Sequence, residues 1–210
     1  MEAAGNSSSK KYSFLALGDS YTIGEGVAIE ESWPHILQKE LSFSDTTLDT
    51  PHIIAQTGWT TKDLIETLKK EQLPVGFDIV SLLIGVNNQY QGKSTEEFRL
   101  EFCSLLSTAI QYAENSKKNV FVLSIPDWGV SPFAKDRDCA KITREINEFN
   151  RIIQEETQKL ELLFIDITQI SRLAFNNPAY IASDGLHFSK RMHHLWVHEI
   201  IGQKFKNTLE

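Results

Sequence analysis

Five short apolar runs alternate with five stretches of helical periodicity along this chain, and that alternation limits its fold more than any other feature. The runs cover residues 12–17, 52–55, 77–84, 120–125 and 162–167. Each is almost continuously apolar and too short for an ordinary helix, as strands buried on both faces are. The first stops at Gly18, the second near Gly58, the third at Gly85 and the fourth at Pro126.

Between them lie the helical patterns. Ser32 is placed to cap a helix through Trp33 and Pro34 to about Leu41, with proline tolerated in the first turn. Thr60 and Asp63 open a second, carrying Leu64, Ile65 and Leu68. Ser94 and Glu97 have capping-box spacing. They open a third, with Phe98, Phe102, Leu105, Ala109 and Ile110 on one stripe. Ile142, Ile146, Phe149 and Ile153 mark a fourth, and a last helix begins near Ser189 with Leu195, Trp196, Ile200 and Phe205. The pattern predicts an α/β fold: a three-layer α/β/α sandwich around a five-stranded parallel sheet, near the flavodoxin-like type. One domain is expected over residues 12–210, behind a polar tail at residues 1–11. In such sheets ligands sit outside the carboxyl ends of the strands, where the strand order reverses. The loops at Gly18, Gly58, Gly85 and Pro126 are therefore the places for chemistry.

Composition removes several function classes. The 210 residues carry a formal charge of −7 and no basic run, which argues against nucleic acid and anionic membrane surfaces as partners. The longest apolar stretch, residues 79–86, is far short of the roughly 18 residues that span a bilayer. Cys103 and Cys139 cannot build a disulfide framework, and both read as core. The first residues, MEAAGNSSSKK, hold no apolar segment and so no intact signal peptide. Neither compartment nor oligomeric state follows from the sequence.

Four of the loops carry reactive residue types. Gly18-Asp19-Ser20 places a serine just past a strand, where the positive end of a following helix would favour an oxyanion. Gly58 permits close approach of backbone to a ligand. Gly85-Val86-Asn87-Asn88 puts an uncharged amide donor after a buried strand, the kind of group that stabilises an oxyanion. In Asp184-Gly185-Leu186-His187 a turn at the glycine can fold the carboxylate back onto the imidazole, fixing its tautomer as a general base requires. Singly, each is an ordinary turn. Together they supply a nucleophile, a base with its orienting acid, and oxyanion donors.

In order, spacing and strand context these blocks resemble the SGNH hydrolases, also called GDSL esterases and lipases. The matching residues span Gly18 to His187. The resemblance implies Ser20 as nucleophile, His187 as base and Asp184 as its orienter. It also implies an oxyanion hole from the Ser20 and Gly58 amides and the Asn87 side chain, acting on a small-molecule ester with no cofactor. Three positions depart from the family pattern: Asn88 for an aspartate, Gln56 for an asparagine, and Phe188 for a proline. Asp19, Trp59, Asn88, Trp128 and Phe188 are candidate substrate contacts, and Tyr90 and Phe133 lie in the same rim loops. The longest lid these loops offer, residues 126–138, favours small or short-chain esters.

Other readings account for less. Glycines 18, 24 and 26 follow a strand but lack the Gly-Lys-Ser/Thr ending of a phosphate loop. Thr22 replaces the last glycine of a Gly-x-Ser-x-Gly elbow. His187, His193, His194 and His198 cluster without a zinc-ligand pattern and read as a solvated helix face, so no metal is expected. The alternative to an esterase is a non-catalytic protein that binds acylated sugar or lipid on the same fold.

Overall fold

The computed structural model describes residues 10–42 and 46–205. Strand β1 (Lys10–Tyr12) pairs in parallel with β3 (Thr46–Leu48) in a small sheet that the apolar pattern did not predict. The expected first strand is thereby split. Ser13 breaks from β1, its amide and hydroxyl both donating to Asp78 Oδ2 at 2.8 and 2.9 Å, and β2 (Phe14–Asp19) begins one residue later. Lys10 and Lys11, expected in the tail, thus belong to the fold; residues 1–9 lie outside the described residues.

The main sheet joins β2 to β4 (His52–Gln56), β5 (Ile79–Leu83), β6 (Val120–Leu123) and β7 (Leu163–Ile165). All pairs are parallel, in the order β4-β2-β5-β6-β7. Every residue of β2, β5 and β6 is buried, as expected when helices cover both faces. This is the predicted three-layer α/β/α sandwich. The chain leaves β2 toward β4 on one side and continues from β5 on the other, so the order reverses between β2 and β5.

Eight of the helices matter for the site. A short turn, α1 (Ser20–Ile23), follows β2 directly. Helix α2 (Trp33–Glu40) packs against the last long helix. Helix α3 (Thr61–Leu68) follows β4, and α4 (Val86–Tyr90) follows β5. Helices α5 (Thr95–Tyr112) and α6 (Cys139–Lys159) continue the layer that α3 begins. Beyond β7, α7 (Thr168–Ser171) leads to α8 (Lys190–Ile200), which ends in a π turn over Ile201–Phe205. Ser32 sits at the predicted cap of α2, but its hydroxyl donates back to Ile29 O and meets His35 Nδ1. The amide of Trp33, the first residue of the helix, donates to His193 Nδ1 at 2.9 Å.

That bond corrects the reading of the histidines as one solvated face. His193 is 1% exposed and stacks on Trp196 at 4.8 Å. Its position on α8, three residues before Trp196, turns it inward toward α2. His194, by contrast, reaches Glu40 at the surface. The cysteines are half-buried: Cys103 lies against Glu156, and Cys139 against Ala134 O.

Burial, reinforced by the charges of His187 and His194, pushes the His193 pKa down to about 3. An unfolded chain would protonate this ring near 6.5, whereas the folded chain resists until much lower pH. Its contribution to stability is therefore complete above about pH 6.5 and is lost progressively toward pH 3. Asn can accept the Trp33 amide without titrating. His193→Asn should accordingly lose less stability than wild type on acidification from about pH 6.5 to 5, by up to about 1.4 kcal/mol per pH unit. Urea unfolding at each pH measures the difference, and parallel profiles would refute it.

Candidate active site

The turn after β2 has no room for a side chain at its hinge. A Cβ on Gly18 would stand 2.1 Å from Thr22 Oγ1 and 2.4 Å from Leu83 O. Asp19 follows as the N-cap of α1, its Oδ1 accepting from the Tyr21 amide at 3.1 Å. Its carboxyl is buried, and that burial raises its pKa to about 7 against the opposing pull of the Tyr21 and Gly85 amides. Asp19 therefore shapes the turn rather than facing the cavity. Ser20 is the first residue of α1 and lines the cavity directly.

The second wall is α4, and side-chain bonds hold it at three consecutive positions. Asn87 Nδ2 donates to Trp59 O at 2.9 Å, which orients the carboxamide and leaves its second N–H to point elsewhere. Asn88 accepts from the Thr61 amide at 3.0 Å and donates to Thr61 Oγ1 at 2.6 Å. Gln89 donates to Glu145 Oε2 and accepts from Trp128 Nε1, each at 2.8 Å. The loop that supplies Trp59 O is fixed by a capping box between Thr60 and Asp63, the pair expected to open this helix. Within it Gly58 adopts φ +85°, and a Cβ there would meet nothing within 4 Å. The backbone conformation calls for glycine, and the space beside it is open.

The third wall is a closed loop before α8. An antiparallel bridge pairs Ile181 with Phe188, and Ala182 N donates to His187 O at 2.8 Å. Gly185, at φ +74°, turns the chain inside that closure. The turn does what the Asp-x-x-His spacing predicts. Asp184 Oδ1 accepts from the Leu186 and His187 amides at 2.9 Å each, and Asp184 Oδ2 lies 2.6 Å from His187 Nδ1. Partial burial pushes the Asp184 pKa up, but those two amides and the imidazole outweigh it and hold the carboxyl below its usual value. Gly185 O accepts from Phe133 N at 2.9 Å, joining this loop to the segment after β6.

A cavity of about 180 Å³ lies where these walls meet, at the carboxyl ends of β2, β5 and β6. Ser20, Asn87 and His187 line it together with Tyr21, Val86, Tyr90, Trp128, Phe133 and Leu186. A larger groove of about 360 Å³ between α3 and α5, lined by Ile65, Leu68 and Tyr112 among others, contains no comparable nucleophile and base. Of the predicted substrate contacts, Trp128 is on the wall, whereas Trp59 contributes its carbonyl through Asn87. Asn88 and Asp19 are buried in structural bonds. Phe188 is fully buried against Tyr21 and Trp196, so it belongs to the core and not to the cavity. The sequence reading passed over Tyr21, Val86 and Leu186; the signal available was their place beside Ser20, Asn87 and His187. Among the described residues no three His, Cys, Asp or Glu side chains are arranged to hold a metal ion.

Known proteins share this arrangement at the level of fold. The esterase EstA from Pseudoalteromonas sp., inhibited by monoethylphosphonate, superposes with a TM-score of 0.70 at 15% identity, covering 94% of this chain and 99% of that one. A lipase/acylhydrolase from Enterococcus faecalis gives 0.66 at 21% identity, with 92% and 96% covered. The acetylxylan esterase Axe2 from Geobacillus stearothermophilus gives 0.66 at 16% identity, with 94% of each chain covered. No curated protein matches the chain. The model of the GDSL-like lipase/acylhydrolase family matches residues 16–195, and the chain belongs to that family.

Proposed function

We propose that this protein is a serine esterase that cleaves small carboxylic esters through an acyl-enzyme. The observation that carries this reading is the 2.6 Å contact between His187 Nδ1 and Asp184, beside a cavity that His187 shares with Ser20 and Asn87. A carboxylate on Nδ1 fixes that nitrogen as the protonated one and leaves Nε2 free to accept a proton.

In the proposed reaction Ser20 Oγ attacks the ester carbonyl while His187 takes its proton. Negative charge then develops on the carbonyl oxygen. The Ser20 and Gly58 amides and the free N–H of Asn87 are the donors assigned to it, and the bond to Trp59 O holds the Asn87 carboxamide in place beforehand. Collapse of the intermediate breaks the bond to the alcohol, which leaves with the proton from His187. Water repeats the sequence on the acyl-Ser20 ester and releases the acid. Asp184 keeps its charge throughout the neutral range because its pKa lies below the usual carboxylate value. The small, largely apolar and aromatic cavity suits a short acyl group.

Four variants test these assignments. Ser20→Ala should abolish ester turnover while leaving the unfolding midpoint near that of wild type, and residual wild-type rates would refute the nucleophile. Asn87→Ala should lose about 10²–10³-fold in kcat with little change in KM. Asn88→Ala removes the acceptor of the buried Thr61 amide, so it should cost about 1–3 kcal/mol of stability and less in kcat than Asn87→Ala. A larger kcat loss at Asn88 would move the donor by one residue. Asp184→Asn should lower kcat by about 10²–10⁴-fold, the range that oriented acid–base assistance contributes. An unchanged kcat would remove Asp184 from the mechanism.

A further inference from the structure

One cation at the mouth of the cavity has no charged partner. The Arg137 guanidinium carbon lies 5.3 Å from the Tyr90 ring centroid, 5.5 Å from that of Trp128 and 4.8 Å from that of Phe133. All three rings line the cavity that holds Ser20 and His187. Arg137 Nη2 also donates to the Tyr90 hydroxyl at 3.2 Å. No carboxylate among the described residues pairs with it, although the chain carries an excess of seven negative charges.

These contacts hold a planar cation in one place. The rings attract the positive charge, and the phenol oxygen occupies one of the five N–H donors that a guanidinium carries. The side chain is exposed, and its guanidinium makes no other hydrogen bond among the described residues. The rings themselves are anchored. Trp128 is tied through Gln89 to the helix that bears Asn87, and Phe133 N to the loop that bears His187. The guanidinium is thus positioned relative to the ester-cleaving groups by the same bonds that position Asn87 and His187. A fixed, unpaired guanidinium is suited to a carboxylate or phosphate oxygen, which it binds through charge-assisted hydrogen bonds.

We propose that Arg137 is a specificity-determining residue that selects esters bearing an anionic group, carboxylate or phosphate, on the portion lying along the Tyr90–Trp128–Phe133 wall. This rests on the esterase reading above. It goes beyond that reading by assigning the substrate a charge.

The test is a matched set of esters measured by kcat/KM. On the alcohol side, 4-carboxyphenyl acetate is compared with 4-carbamoylphenyl acetate. On the acyl side, monophenyl glutarate is compared with its terminal amide, uncatalysed hydrolysis being subtracted. The wild type should favour the charged member of one pair, and that pair identifies which portion carries the anion. The charged-to-neutral ratio should fall by about tenfold in Arg137→Gln, the scale of one charge-assisted hydrogen bond. It should be largely retained in Arg137→Lys and should shrink in the wild type as ionic strength rises. No preference in either pair would overturn the inference, as would equal losses on charged and neutral members, which would make Arg137 a brace for the rings alone. Faster cleavage of 4-(trimethylammonio)phenyl acetate than of the carbamoyl ester would also overturn it, assigning the ring cluster to a substrate cation. All of these outcomes presuppose hydrolysis by the wild type. Failure to cleave any ester would instead strike at the esterase reading, and with it this inference.

Discussion

The site depends on packing that joins the two ends of the chain. Ser20 follows the first strand of the main sheet and His187 precedes the last long helix, so nothing local brings them together. Tyr21, beside Ser20, packs against Phe188 and Trp196 at 5.7 and 6.3 Å between ring centroids and meets His187 edge-on at 5.8 Å. The Trp33 amide bond to His193 fastens the same helix to α2. Large aromatic side chains excluded from water each contribute on the order of 1.5–3 kcal/mol. In a parallel sheet the final helix has no hairpin to hold it, and this cluster does that work.

With the ends joined, the polar groups are arranged with few left free to wander. α4 carries Asn87 and is bonded through its side chains to α3, α6 and the segment after β6. The His187 loop is closed by its own bridge and tied to Phe133. Such fixation matters because hydrogen-bond donors lower a barrier only if they need not reorganise when charge develops. The buried Asp19 belongs to the same economy of position. Its carboxyl caps the four-residue turn that presents Ser20, although its burial keeps its pKa near neutrality.

Much of this was legible in the sequence because the signals were local. The apolar runs, the helix-opening pair Thr60–Asp63 and the Asp184–His187 spacing each involve residues a few positions apart; each has its counterpart in the fold, although β5, β6 and β7 are shorter than the runs that predict them. What escaped was set by distant partners. Ser13 divides the first apolar run because Asp78 lies beside it. His193 turns inward because Trp33 offers an amide. Asn88 is occupied by Thr61, 27 residues away. Phe188 misled through its nearness to His187: it pairs with Ile181 in the bridge that closes the loop and packs on Tyr21 and Trp196 in the core, contacts set by distant residues. The unpaired Arg137 had no sequence signature at all, since its three rings come from two separate segments.

The central claim is that Ser20 forms a covalent bond to the acyl group with help from His187. A fluorophosphonate probe, followed by proteolysis and mass spectrometry, tests it most directly, because it reports the bonded atom without requiring the natural substrate. The account predicts one equivalent of label on the peptide containing Ser20, with labelling slowed by about 10² or more in His187→Ala, where the proton acceptor is gone. Label on another residue, or undiminished labelling of Ser20 without His187, would contradict it.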